Sequence, residues 1–233
     1  MSKLNKKQIL NSIDYCNKEG IFFNLQTIYD SVPSGKCSGC GNCCMESVGT
    51  NLVEFLNIYN YLLERPKLKT YAFKKILDYY FNEYISKHSC PFKNSKNRCI
   101  IYDVRPLNCR IYGQWKKTDY EKNLQNILKE NQYFLKFLKS EYNIILPKEV
   151  SNFKIDYCEK FIPEKSYLSK SQRLEFADRI FVLDTLILNS KTINIDYADR
   201  GIVEFFVESV TDISLANKIK LNRTEIILLN QNK

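Results

Sequence analysis

Glycine is scarce in this chain, with seven in 233 residues, and the scarcity is uneven. Four of the seven, Gly35, Gly39, Gly41 and Gly49, lie in or beside one short stretch. Long apolar runs are missing too. The N-terminal MSKLNKKQIL has no continuous apolar segment of the secretory kind, and the best later run, Ile180 to Leu188, is broken by Asp184. A soluble, cytoplasmic chain with no membrane partner is the expectation. No G-x-G-x-x-G follows a strand, so an ordinary doubly wound nucleotide site is unsupported. The C-x3-C-x2-C triplet of radical S-adenosylmethionine enzymes is absent as well: Cys40 and Cys44 make its first step, but Ser47 stands where the third cysteine belongs. The net charge is +9, yet lysine is spread throughout with no basic run interleaved with aromatics, and no nucleic-acid partner is expected.

What is abundant is cysteine, nine in all. Four fall in the eight residues Cys37 to Cys44, CSGCGNCC, at the spacing C-x2-C-x2-C-C. A thiolate is a soft anionic ligand, and cysteines two residues apart can reach one ion or cluster from a single turn of irregular backbone. Glycine there tolerates positive φ and lets backbone N–H groups point at sulfur. Disulfides are the weaker reading, because a chain of this length buries a core without staples and the expected compartment is reducing. Cys90, in CPF, and Cys99 and Cys109, in CIIYDVRPLNCR, form a second group, with Arg98, Arg105 and Arg110 beside them. Guanidinium groups can donate to sulfur or offset its charge, or make ordinary ion pairs. Cys158 is an eighth candidate ligand. If all eight were thiolates, the charge of the protein would fall from +9 to about +1 before the metal is added. Cys16 sits on the apolar face of a helix and reads as core. His88 is the single histidine and a weaker ligand candidate.

The remainder reads as helix. Asn5 can cap a first helix whose face is Ile9, Ile13 and Cys16, and the apolar Ile21–Tyr29 segment runs into a Pro-Ser-Gly turn before the cysteines. Asn51 and Glu54 form a capping box ahead of the stripe Leu52, Phe55, Leu56, Tyr59, Leu62 and Leu63, which Pro66 stops. Ala72, Ile76, Tyr79, Tyr80 and Glu83 mark the next helix, and Tyr120 to Leu138 the most regular one, a scaffold. Ser171–Leu188, apolar on nearly all sides, is expected to be central, with shorter helices after Lys191 and a terminal strand at Thr224–Leu229. The fold class expected is mainly α: a single helical domain over 1–233 wrapped around an irregular cysteine-rich loop region, with a metal-binding core at 36–112 and a helical scaffold at 113–233.

Three cysteines at successive C-x2-C steps are the habit of a cubane iron–sulfur cluster, whose fourth ligand can be remote and followed by proline. Cys37, Cys40 and Cys43 fit the triple, and Cys90-Pro91 is a remote Cys-Pro. Eight thiolates also suit two tetrahedral zinc sites. Adjacent Cys43 and Cys44 diverge by about 100° on a helix, so they serve one cluster only on a distorted backbone, or each faces a different site, or one ligates while the other packs. These stretches together, CSGCGNCC, CPF and CIIYDVRPLNCR, resemble the YkgJ-type cysteine-cluster family, the CxxCxxCC proteins, from Lys36 to Tyr112. The resemblance implies zinc or iron chelation through Cys37, Cys40, Cys43, Cys44, Cys90, Cys99 and Cys109, with Cys158 a later addition. The region is also similar to flagellin lysine N-methylases. That likeness implies, as the alternative, methyl transfer to a protein such as flagellin with an iron–sulfur cluster (4Fe-4S) and S-adenosylmethionine. No residue near the motif can be singled out as a catalytic acid or base, since Glu46, Tyr102 and Asp103 have equally good structural explanations.

Overall fold

The computed structural model describes residues 4–195 and 200–231. It is mainly α, as the sequence pattern predicts. Asn5 caps α1 (Lys6–Lys18) in a capping box with Gln8, burying Ile9, Ile13 and Cys16. Gly20, at φ +67°, turns the chain into α2 (Ile21–Asp30), so the apolar segment before the cysteines is itself a helix. Then come a two-residue strand, β1 (Gly35–Lys36), the cysteine loop, and a second, β2 (Gly49–Thr50). α3 (Leu52–Leu63) follows, and Pro66 opens α4 (Pro66–Asn82) rather than only ending its predecessor.

Residues 83–106 are irregular apart from a 3-10 turn at Tyr102–Val104, and they lead into the short α5 (Leu107–Ile111). Beyond lie α6 (Lys117–Tyr142), α7 (Lys148–Ser151), β3 (Ile162–Pro163), α8 (Lys170–Asn189), β4 (Arg200–Gly201), α9 (Ile202–Glu208) and α10 (Ile213–Gln231). The strands form two antiparallel pairs, β1 with β3 and β2 with β4. Gly35 faces Pro163 and Lys36 faces Ile162; Gly49 faces Gly201 and Thr50 faces Arg200. The pairs clamp the cysteine loop at both ends.

The main core gathers α1 to α4 with α8 and α9. Its centre is aromatic. Phe55 stacks on Phe205 at 5.0 Å, and Phe206 meets the rings of Phe55, Tyr59 and Phe73 at 5.1–5.9 Å. A smaller cluster of Leu138, Ile144, Leu146 and Leu228 joins α6 to α10.

Three expectations are revised. Thr224–Leu229 is not a strand but the last part of α10. The β-branched run suggests β, yet Lys220, Thr224 and Leu228 turn inward at four-residue spacing, and the Thr224 hydroxyl donates to the Lys220 carbonyl at 2.8 Å. Tertiary packing overrides propensity there. α10, at 19 residues, is also not short. α8 is central on one face only: Ile180, Leu183, Asp184 and Ile187 are buried, while Phe181, Val182 and Leu186 are exposed. α6 is a long helix as expected, but Tyr120 and Leu138 are its only buried residues.

Asp184 is wholly buried and reaches from α8 to the start of α3. Its carboxylate accepts the N–H groups of Val53 at 2.7 Å and Leu52 at 3.1 Å, and the Asn51 amide at 3.2 Å. It therefore satisfies two of the donors every helix leaves open at its N-terminus, where a negative charge is favourable. Asp184→Ala strands those donors in the core and is expected to cost about 2–4 kcal/mol. Chemical denaturation checks this, with Leu186→Ala on the exposed face of α8 expected to change stability little.

Candidate metal centre

The loop between β1 and β2 is shaped by two left-handed glycines, Gly39 at φ +66° and Gly41 at φ +71°. A tight turn covers Asn42–Met45, with the Cys44 N–H donating to the Gly41 carbonyl at 3.1 Å. This winding aims backbone N–H groups at sulfur. The Gly39 N–H donates to Cys37 Sγ at 3.4 Å. The Asn42 N–H and the Ser38 hydroxyl favour the Cys40 thiolate and hold that thiol below its ordinary value.

The second segment repeats the device. The Phe92 N–H is directed to Cys90 and the Ile101 N–H to Cys99. At all four cysteines the N–H two residues on acts toward the sulfur, with the hydrogen bond formed at Cys37. Burial outweighs it in the second segment, pushing Cys90 up to about 12 and raising Cys99. A partner that favours the thiolate must come from outside the protein or from neighbouring cations.

The two segments are stitched together. The Cys90 N–H donates to the Cys44 carbonyl at 3.0 Å, and Lys93 bridges to Cys99. Phe92 is buried 5.8 Å from Phe206, which anchors CPF in the aromatic core. Cys109 rides on α5. The first N–H of that helix, Leu107, donates to Glu54 Oε1 at 2.6 Å, and Glu54 also accepts from Tyr29, Thr50 and the Asn51 N–H. Burial raises the Glu54 carboxyl, and these donors oppose the rise. The Cys109 residue is exposed, but burial raises its thiol strongly, with Cys90, Cys99 and Cys44 acting on it in that order.

Cys43 and Cys44 lie with sulfurs 3.9 Å apart, within hydrogen-bonding reach of each other. The bond from Cys43, with Lys93 and Arg105 nearby, lowers Cys44 to about 7, while the same bond and burial raise Cys43. The pair gives up one proton readily and the second with difficulty. Cys43 also feels Cys109 and Cys37.

Cys158 joins from a distant segment through Phe161, whose ring fills the space where side chains at Gly35 and Gly113 would stand. This seats β3 on β1 and brings Lys160 within range of Cys40. Tyr112 is acted on by both Cys43 and Cys158, and its hydroxyl donates to the Asp156 carbonyl at 2.7 Å.

Cys37, Cys43, Cys44, Cys90, Cys99 and Cys109 act on one another, Cys40 and Cys158 neighbour the same loop through Lys160 and Tyr112, and Cys16 is buried in the helical core, its thiol pushed up to about 12 by burial. His88 is two residues from Cys90 but bonds the Ser86 hydroxyl at 2.9 Å and faces a cleft of about 280 Å³ with Glu46, Tyr79 and Glu83. Among the described residues, no three His, Cys, Asp or Glu side chains converge as a finished coordination sphere. The donor set nevertheless fits a soft metal: clustered thiols, N–H groups aimed at four of them, and cations against the charge. Arg105 acts on Cys44 and Arg98 lies over Gly39, while Arg110 instead stacks on Tyr29 at 3.9 Å and donates to the Arg105 carbonyl. Lys93, Lys160, Phe161 and Tyr112 had no motif to mark them.

The arrangement is that of a thiolate-based metal-chelating module. Residues 36–127 match the model of the CxxCxxCC family, described as "Putative zinc- or iron-chelating domain", so this stretch carries the domain to which its cysteines point. No curated protein and no solved structure matches the chain.

In metal-free protein, alkylation by iodoacetamide is expected first at Cys44 and Cys40. The rate at Cys44 should climb as pH rises through about 7, since the thiolate is the nucleophile and the protonated form dominates below that value. Cys16, fully buried with its thiol near 12, should stay unlabelled at neutral pH. Peptide mass spectrometry across pH reads both.

Proposed function

We propose that the chain chelates metal through Cys37, Cys40, Cys43, Cys44, Cys90, Cys99, Cys109 and Cys158, with an iron–sulfur cluster as the leading cofactor and zinc as the other. The observation that carries chelation is the set of four N–H groups directed at Cys37, Cys40, Cys90 and Cys99, drawn from two separated segments. A buried neutral thiol gains little from such a donor; a thiolate ligand gains charge-assisted hydrogen bonds that orient it and tune its basicity. The C-x2-C-x2-C run of Cys37, Cys40 and Cys43 supports the cluster over zinc. A bound cluster would supply one-electron exchange, and bound zinc a structural tie. The residues of the chain hold the thiolates, offset their charge with Lys93, Arg105 and Lys160, and half-bury Cys90 and Cys99.

The alternative, S-adenosylmethionine-dependent lysine methylation of a protein such as flagellin, rests on resemblance. The cleft beside Cys90 contains Glu46 and Glu83, but Lys87 and Lys220 already pair with them, so it presents no acidic groove to an incoming lysine.

Iron, zinc and acid-labile sulfide measured on protein purified without oxygen test the reading. Iron with matching sulfide supports the cluster, and zinc without sulfide replaces it. Cys40→Ser is expected to lower metal content sharply and Cys16→Ser to leave it unchanged. Equal loss from both, or no metal in the parent protein, overturns the assignment.

A further inference from the structure

α5, α6 and α8 line a second cavity, of about 390 Å³, to which none of the eight candidate ligands contributes. α6 presents Asp119, Lys122, Asn123 and Asn126 to it, at i, i+3, i+4 and i+7, which is one continuous helical face. α8 presents Lys170, Arg173, Leu174 and Ala177 at the same spacing. The two faces differ in kind. The α6 face is polar throughout, whereas Leu174 and Ala177 form an apolar wall that Leu107 and Ile111 of α5 and the Trp115 ring continue. A helix face that packs on a neighbouring element is ordinarily apolar. Here polar side chains look across open space at an apolar wall, an arrangement suited to a ligand with one polar and one apolar end.

Arg173 braces the cavity. It is buried, stacks on Trp115 at 3.7 Å, donates to the Leu168 carbonyl at 2.8 Å and pairs with Asp119 at 3.1 Å. That pair uses the only acidic side chain in the lining among the described residues. Lys122 and Lys170 each stand about one helical turn from the member of the pair on their own helix. Neither has an ion-pair partner among the described residues. Three cations thus face one carboxylate, an excess of two positive charges carried on two different walls. We propose that this cavity binds a phosphate monoester with an apolar body: Lys122 and Lys170 hold the phosphate, with the Asn123 and Asn126 amides beside it, and Leu174, Ile111 and Trp115 receive the body. Two cations favour the double charge of a phosphate monoester over the single charge of a carboxylate. The site stands whether or not the cysteines chelate metal. It adjoins them through α5, which supplies Leu107 and Ile111 to this cavity and Cys109 to the candidate ligands.

Trp115 is the single tryptophan of the chain, so its fluorescence reports this cavity directly. The whole chain is titrated at about pH 8, where a phosphate monoester carries two charges, with octyl phosphate, octanoate, octanol and inorganic phosphate, none of them at micelle-forming concentration. The expected result is a saturable change in emission with octyl phosphate, and binding weaker by about tenfold or more for the other three. Lys122→Glu and Lys170→Glu each replace attraction by repulsion and are expected to weaken octyl phosphate about tenfold. Lys129→Glu, on α6 but outside the lining, should leave its affinity unchanged. All three lysines are exposed, and unchanged helical circular dichroism checks that the variants fold. No saturable change with octyl phosphate overturns the proposal, as does parental affinity in both Lys122→Glu and Lys170→Glu. Octanol binding as tightly as octyl phosphate reduces the cavity to an apolar patch and overturns it too. Equal affinity for octanoate overturns the choice of phosphate, and equal affinity for inorganic phosphate overturns the role of the apolar wall.

Discussion

The buried Glu54 carboxylate is the junction on which the cysteine region depends. It lies at the start of α3, and four donors from four places meet on its two oxygens: the Tyr29 hydroxyl of α2, the Thr50 hydroxyl of β2, the Asn51 N–H and the Leu107 N–H of α5. Each bond exchanges a water for a protein donor and is worth about 1.5–3 kcal/mol where one partner is charged, so the set opposes the cost of burying the carboxyl without cancelling it. Its consequence is positional. α5 has only five residues and could not hold its own direction, yet its first N–H is tied to the same side chain that begins α3. Cys109 is thereby set relative to the loop that ends at β2.

The other cysteines are placed by similar long-range ties. Phe92 in the aromatic centre fixes Cys90 and, through the bridge at Lys93, Cys99. Phe161 against Gly35 and Gly113 fixes the Cys158 segment. The loop itself contributes almost nothing to the core, which the helices build on their own. A rigid helical frame presenting an irregular loop is the arrangement in which thiolates keep their aim when the surrounding backbone has few contacts of its own.

This explains what was legible from sequence. The Cys37 to Cys44 run was plain because its ligands are contiguous, and α1, α3 and α4 because their caps and stripes are local patterns. Glu54 was visible as a capping residue, but its bond to Leu107 spans a separation of 53 and leaves no local trace. Asp184 looked like an interruption of an apolar run; its partners are more than 130 residues away. Thr224–Leu229 misled because β-branched residues favour strands when packing is unknown. A signal for the placement of Cys158 did exist: Gly35 and Gly113 both lack a side chain where one aromatic ring must fit. Nothing in their spacing says which ring.

The contact between the Cys43 and Cys44 sulfurs links this architecture to metal chemistry. With both thiols present the second deprotonation is opposed by the thiolate already formed and by burial, and Lys93 and Arg105 act on Cys44. The hydrogen bond from Cys43, helped by Lys93 and Arg105, therefore favours one thiolate of the pair and not the second. A cation bound between the sulfurs and their neighbours removes that opposition, because its own charge dominates the local field. Metal binding and release of the last proton are then one coupled event, and affinity must rise with pH until the pair is fully deprotonated. The excess of basic residues in the sequence has a local counterpart here: Lys93 and Arg105 favour ionisation of Cys44 and Lys160 that of Cys40, while burial holds Cys43, Cys90, Cys99 and Cys109 protonated until a metal binds.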